Sequence, residues 1–164
     1  MREAEKKIRD RPALAQECAR LRAAGKKIVF TNGCFDLMHA GHATYLEFAR
    51  AQGDVLVVGL NTDASVRRYK GEKRPVVDER NRARMMAALE CVDYVTWFDE
   101  DEPKELIAEL QPDVLVKAED WAHYVSGRDV VEARGGKVVL APMVAGLSTT
   151  KLIEKIVQAY GGGK

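Results

Sequence analysis

Hydrophobic and polar positions along this chain fall into two rhythms that take turns. Short, nearly unbroken apolar runs at 27–31, 55–60, 94–98, 114–117 and 137–141 have strand length. Such runs suit strands covered on both faces of a parallel sheet. Between them lie segments with the three-to-four-residue spacing of a helix face. After a charged lead-in, Pro12 opens the first helix, which carries Leu14, Cys18 and Leu21 on one side and stops at Gly25. A second runs over 42–52, with Tyr45, Leu46, Phe48 and Ala49 apolar. A short one, capped by Asp63, ends at Tyr69. A fourth covers 78–90, with Asp78 as cap and Ala83, Met86, Ala87 and Leu89 inward. Three more follow at 103–110, 127–134 and 149–160, the first opened by Pro103 and the second stopped by Gly135-Gly136. Residues 70–75, basic and broken by glycine and proline, read as a mobile loop.

Strand–helix alternation of this kind predicts a single doubly wound, Rossmann-like α/β fold. Its parallel five-stranded sheet takes the order 3-2-1-4-5, with helices on both faces. Ligands of such sheets lie beyond the carboxyl ends of the strands, where the strand order reverses. That rule puts the loop over 31–42 beside the one over 117–124.

A length of 164 residues, 46% hydrophobic and 31% charged, fits one domain with a proper core. The expected division is a helical lead-in over 1–25, the main domain over 26–160 and a flexible tail over 161–164. No apolar run approaches the ~20 residues of a membrane span and no leader pattern opens the chain, so a cytoplasmic protein without a membrane partner is expected. Cys18, Cys34 and Cys91 lack framework spacing, which suits reduced thiols, and Cys34 reads as a small packing residue. Net charge is only +1, which argues against a nucleic-acid partner. Yet between Arg67 and Arg84 eight Arg/Lys face three Asp/Glu. A small polyanion is the natural partner of so local a cluster.

The stretch Thr31-Asn32-Gly33-Cys34-Phe35-Asp36-Leu37-Met38-His39-Ala40-Gly41-His42 joins the first strand to the second helix. A helix start presents unpaired N–H groups and a positive dipole end, so it suits an anion, and Gly41 lets that anion approach the backbone. His39 and His42, three apart, can donate to the same anion and be partly cationic near neutral pH. The remaining histidine, His123, stands apart and the cysteines are unpaired in spacing, so no protein-held metal is expected. Gly146-Leu147-Ser148-Thr149-Thr150 precedes the last helix and offers a second start of the same kind, though read alone it is an ordinary N-cap. Arg80, in the first turn of its helix, opposes the dipole unless an anion or carboxylate compensates.

Gly33-Cys34-Phe35-Asp36 followed by His39-Ala40-Gly41-His42 resembles the signature of the cytidylyltransferase-like nucleotidyltransferases. Gly146 to Thr150 resembles that family's second signature, which holds the β- and γ-phosphates of a triphosphate. Lys117-Ala118-Glu119-Asp120-Trp121 matches a segment that in the family usually reads Lys-Gly-x-Asp-Trp, with Ala118 in place of the glycine. From about 25 to 156 the chain most resembles the D-glycero-β-D-manno-heptose 1-phosphate adenylyltransferases.

The resemblance implies a nucleotidyltransferase domain over 26–160 that moves AMP from ATP to a sugar 1-phosphate, giving ADP-heptose and pyrophosphate. It implies catalytic roles for His39, His42 and Lys70 or Lys73. Thr31, Asn32, Gly33, Cys34, Phe35, Gly41, Lys117, Ser148, Thr149 and Thr150 would hold the nucleotide. Asp63, Arg80, Asp120 and Trp121 would face the acceptor, with His123 and Tyr124 nearby. Mg²⁺ would arrive bound to the nucleotide, and the assembly would be a homodimer. A glycerol 3-phosphate cytidylyltransferase shares both signatures but usually carries Arg-Tyr-Val-Asp where Glu90-Cys91-Val92-Asp93 stands. A non-catalytic nucleotide-binding protein is the alternative from another class.

Overall fold

The computed structural model describes residues 3–161. Its strands are β1 (Ile28–Gly33), β2 (Val55–Asn61), β3 (Tyr94–Phe98), β4 (Val114–Ala118) and β5 (Lys137–Ala141). All pair in parallel in the expected order, β3-β2-β1-β4-β5. The helices are α1 (Arg11–Ala23), α2 (Ala40–Arg50), α3 (Asp63–Lys70), α4 (Glu79–Ala88), α5 (Lys104–Leu110), α6 (Arg128–Glu132) and α7 (Thr149–Tyr160). No helix among the described residues is long and apolar enough to cross a membrane.

Alternation along the strands builds two cores, one on each face of the sheet. Ile28 and Phe30 of β1 join Leu14, Cys18 and Leu21 of α1 and Leu106, Ile107 and Leu110 of α5. Val29, between them, points to the other face, with Leu46 and Ala49 of α2 and Ala83, Met86 and Ala87 of α4. Every residue of β2 is buried, as a central strand requires. Helix α7 contributes no buried residue and rides on the outside.

Several boundaries move for local reasons. Helix α2 begins at Ala40 rather than at His42, because His39 sits in extended conformation as its N-cap. Thr62 caps α3 through its hydroxyl, which accepts from the Ser65 N–H at 3.1 Å, and Asp63 becomes the first helical residue. Asp78 caps α4 as expected, accepting from the N–H groups of Arg80 and Asn81. The lead-in is more than charged spacer: the Arg9 N–H donates to the Val95 carbonyl at 2.9 Å and Ile8 bridges Val95, covering the outer edge of β3. Of the expected flexible tail, 162–164 lie outside the described residues.

One feature of the sheet positions the site. β1 and β2 stay paired from Ile28↔Val55 to Gly33↔Leu60, but β1 and β4 pair only at Val29↔Val114 and Phe30↔Leu115. Beyond these residues the two strands part, and a crevice opens at their carboxyl ends, at the reversal of strand order.

Candidate active site

A cavity of about 600 Å³ fills that crevice. Asn32, Gly33, Cys34, Phe35, His39, Gly41 and His42 line it from the loop between β1 and α2, and Lys117, Asp120 and Trp121 from the end of β4. Lys70 reaches it from the end of α3, and Ser148, Thr149 and Thr150 from the start of α7. Two helix N-termini therefore open on the same space.

At the first of them the imidazoles of His39 and His42 stack, with ring centroids 3.9 Å apart. The His39 backbone N–H donates to Nδ1 of His42 at 3.3 Å, which leaves the proton of a neutral His42 on Nε2 as a donor. Nδ1 of His39 is buried with no partner among the described residues. A Cβ at Gly41 would crowd the His39 ring at 3.0 Å, so the glycine leaves that ring its place. Phe35, at φ 45°, takes the left-handed conformation to turn the chain, and its ring lies 5.5 Å from that of His42.

The expectation of partly cationic histidines is corrected by burial. Desolvation, reinforced by the nearby His39 and by the Lys70 charge, pushes His42 down to about 4, and burial also lowers His39. Both are neutral near pH 7 in this structure, and only an anion brought into the cavity opposes the shift.

At the second helix start two of the three hydroxyls are already engaged. Ser148 Oγ caps α7 by accepting from the Lys151 N–H at 3.1 Å, and Thr149 Oγ1 donates to the Leu37 carbonyl at 3.0 Å. Ser148 still has its proton to donate.

On the β4 side, Lys117 Nζ donates to Asn32 Oδ1 at 3.2 Å and lies 5.3 Å from the Trp121 ring centre. Burial, partly offset by Asp120, brings Lys117 down to about 8. Trp121 is half exposed, with the His123 ring 6.2 Å away. Ala118 has φ −69° and ψ 149°, ordinary extended backbone, so replacing the family's glycine costs this turn nothing.

Four expected site residues do not line the cavity. Thr31 is buried and shares a 2.6 Å hydrogen bond with the Tyr45 hydroxyl. Lys73 and Arg80 are exposed. Asp63 is spent on Arg82, whose guanidinium lies 2.7 Å from its carboxylate. Conversely, Tyr45, Asn61, Tyr69, Arg74, Phe98, Asp101 and Met143 line the cavity without having been anticipated. Tyr69 also shares a close contact with Cys34 through its hydroxyl.

The residues 70–75, expected to be mobile, are tied down at their far end. Asp36, inside the histidine motif, accepts from Arg74 Nε at 2.7 Å and from the N–H groups of Val76 and Val77. Burial alone would raise its carboxyl, but the two N–H groups and the Arg74 guanidinium outweigh it and hold Asp36 below the usual range. Arg82 was legible only as a charge at an inward position beside Ala83 and Met86, which is the signal a buried ion pair leaves. Among the described residues no cluster of three His, Cys, Asp or Glu could hold a metal ion.

A family model for cytidylyltransferase-like proteins matches residues 30–155, from the strand before the histidine motif to the middle of α7. The chain belongs to the cytidylyltransferase-like family. It is 56% identical over 160 residues to the bifunctional protein HldE of Citrifermentans bemidjiense, an alignment covering 97% of this chain and 33% of that protein. The chain thus spans about a third of the length of the curated relatives it matches. Among solved structures it is similar to the lipopolysaccharide core biosynthesis protein of Thermoplasma volcanium, with a TM-score of 0.60 and 27% identity over 73% of this chain and 98% of that one. It shares its fold with the pantoate–β-alanine ligase of Francisella tularensis, at a TM-score of 0.62 and 16% identity, covering 92% of this chain and 77% of that one. The cytidylyltransferase-like match spans both helix starts that open on the cavity.

Proposed function

We propose that the chain is a nucleotidyltransferase that transfers AMP from ATP to D-glycero-β-D-manno-heptose 1-phosphate, forming ADP-heptose and releasing pyrophosphate. The observation that carries this reading is the convergence of the histidine-bearing start of α2 and the hydroxyl-bearing start of α7 on one cavity. The likeness to HldE, and to a protein of lipopolysaccharide core biosynthesis, supports the choice of acceptor.

A sugar phosphate has its second pKa near ~6, so close to pH ~7 its oxygen is mostly ionised and attacks the α-phosphorus without a general base. A bond forms from that oxygen to the α-phosphorus, the bond to the bridging oxygen breaks, and pyrophosphate leaves with the electron pair. Catalysis then rests on alignment and on meeting the charge that develops on the phosphates. In this reading Nε2–H of His42 donates there, with Lys70 adding charge from the end of α3 and the N–H groups of α7 receiving the pyrophosphate end. Lys117 and the faces of Trp121 and Asp120 offer contacts to base or sugar on the β4 side. The cavity's donors are chiefly imidazole, ammonium and hydroxyl groups, suited to phosphate, so Mg²⁺ would enter on the nucleotide's own oxygens and add charge neutralisation when bound.

A homodimer in the cytoplasm completes the proposal, and sedimentation equilibrium reads the association. The deciding experiment follows pyrophosphate release from ATP and from CTP with a panel of sugar 1-phosphates and glycerol 3-phosphate. Release from ATP with the heptose 1-phosphate is the expected result. Turnover of CTP with glycerol 3-phosphate would move the chain to the cytidylyltransferases, and nucleotide binding without any turnover would make it a binding protein.

A further inference from the structure

The end of α3 and the segment that joins it to α4 roof the cavity, since Tyr69 and Lys70 of the helix and Arg74 of the segment line it. Its attachment to the rest of the site centres on one residue, Val77, whose N–H and carbonyl are gripped from opposite sides. The Val77 N–H donates to Asp36 Oδ1 at 2.8 Å, and the Val77 carbonyl accepts from Arg82 Nε at 3.0 Å. Arg82 is fully buried, and its other nitrogens donate to the carbonyls of Cys34 at 2.7 Å and Asn61 at 2.9 Å and to Asp63 at 2.7 Å. Asp36 is buried too, and takes Arg74 Nε and the Val76 N–H besides Val77. Cys34 and Asp36 belong to the loop that leads to His39 and His42, so the two clamping residues close a ring from the histidine loop through Val77 and back.

We propose that Asp36 and Arg82 are positioning residues that lock the roof segment to the histidine loop, so that Lys70 and Arg74 keep a set distance from the imidazoles during transfer. Neither needs to touch substrate. A charge buried with its partners resists displacement, because moving Val77 strands a carboxylate and a guanidinium away from water. A shift of about 1 Å in a charged group at a reaction centre costs on the order of 10²-fold in rate. The turnover half of this inference rests on the transferase reading; the clamp itself does not.

The test uses the full chain with Asp36→Asn, which keeps the shape but loses the charge that holds Arg74, and Arg82→Lys, which keeps the charge but has too few donors for four acceptors. Limited trypsin digestion reads the roof directly, because Lys70 and Lys73 are exposed in it. Cleavage there is expected to accelerate about tenfold or more in both variants, with an intact cooperative melt. In pyrophosphate release, kcat is expected to fall roughly 10- to 100-fold while KM for ATP changes less than about threefold. Unchanged cleavage in both variants overturns the clamp. Faster cleavage with unchanged kcat overturns the positioning role, as does loss of the cooperative melt in both variants, which would make these residues elements of folding alone. If the unaltered chain itself releases no pyrophosphate, the transferase reading fails and the roof clamp is judged on trypsin alone.

Discussion

The Thr149 hydroxyl donates to the Leu37 carbonyl at 3.0 Å, fastening the start of α7 to the loop of both histidines across 112 residues of sequence. The two helix N-termini that open on the cavity are thereby held at a fixed separation. Thr149→Val should lose one hydrogen bond of about 1 kcal/mol, lowering Tm by about 2–4 °C. KM for ATP should rise several-fold, and Thr149→Ser should restore both. Differential scanning calorimetry with steady-state kinetics checks the pair of variants, and an unaltered KM in the valine form would detach this contact from nucleotide binding.

His42 lines the cavity and carries its proton on Nε2, because its other nitrogen accepts from the His39 backbone. His42→Ala should lower turnover by roughly 10²-fold or more, as removal of one transition-state donor does, without changing the far-ultraviolet circular dichroism. Turnover at the unaltered rate would remove His42 from the chemistry.

The two roof lysines separate by place. Lys70 lines the cavity and Lys73 does not. Lys70→Ala is expected to cost about tenfold or more in kcat/KM, and Lys73→Ala no more than about twofold. Equal losses in the two variants would contradict this division.

Burial of the histidines makes stability depend on pH. The folded chain holds His42 at about 4, against an ordinary value of 6.5. Between those values the unfolded chain binds the proton and the folded one does not, so stability is fully present above the higher value and is lost as pH falls toward the lower. Carboxylates held low in the folded state, such as Asp36, add their loss only below about pH 4.5. Tm should therefore fall by a few degrees between about pH 6.5 and 4.5, and His42→Gln should flatten that slope. Thermal melts of both proteins across the range decide it; parallel slopes would mean that His42 is not the group responsible.

Legibility differed by the kind of signal. Strands β3 and β5 and helix α7 begin and end where the pattern put them, because a run of Val, Leu and Tyr or a three-to-four spacing is local and survives in any fold that buries it. The cap of α3 lies one residue before the expected one because Thr62 and Asp63 both cap well, and the end of β3 holds Thr62, its N–H donating to the Phe98 carbonyl and its hydroxyl to Asp99. In the site, the histidine and hydroxyl motifs were visible as helix starts. Asn61, Tyr69, Arg74 and Asp101 were not, since they come from the end of β2, from α3, from the segment after it and from the loop after β3, which come together only in the folded chain.

Taken alone, the order of residues determined the alternation of strands and helices, the parallel sheet, and the two helix starts suited to phosphate, since each follows from periodicity, capping and chain handedness. Tertiary structure decided the rest: the parting of β1 from β4 that makes room for a ligand, the neutral state of the histidines, and the grip of Asp36 and Arg82 on Val77. These depend on which groups lose their water and what replaces it, and that is set by segments far apart in the chain.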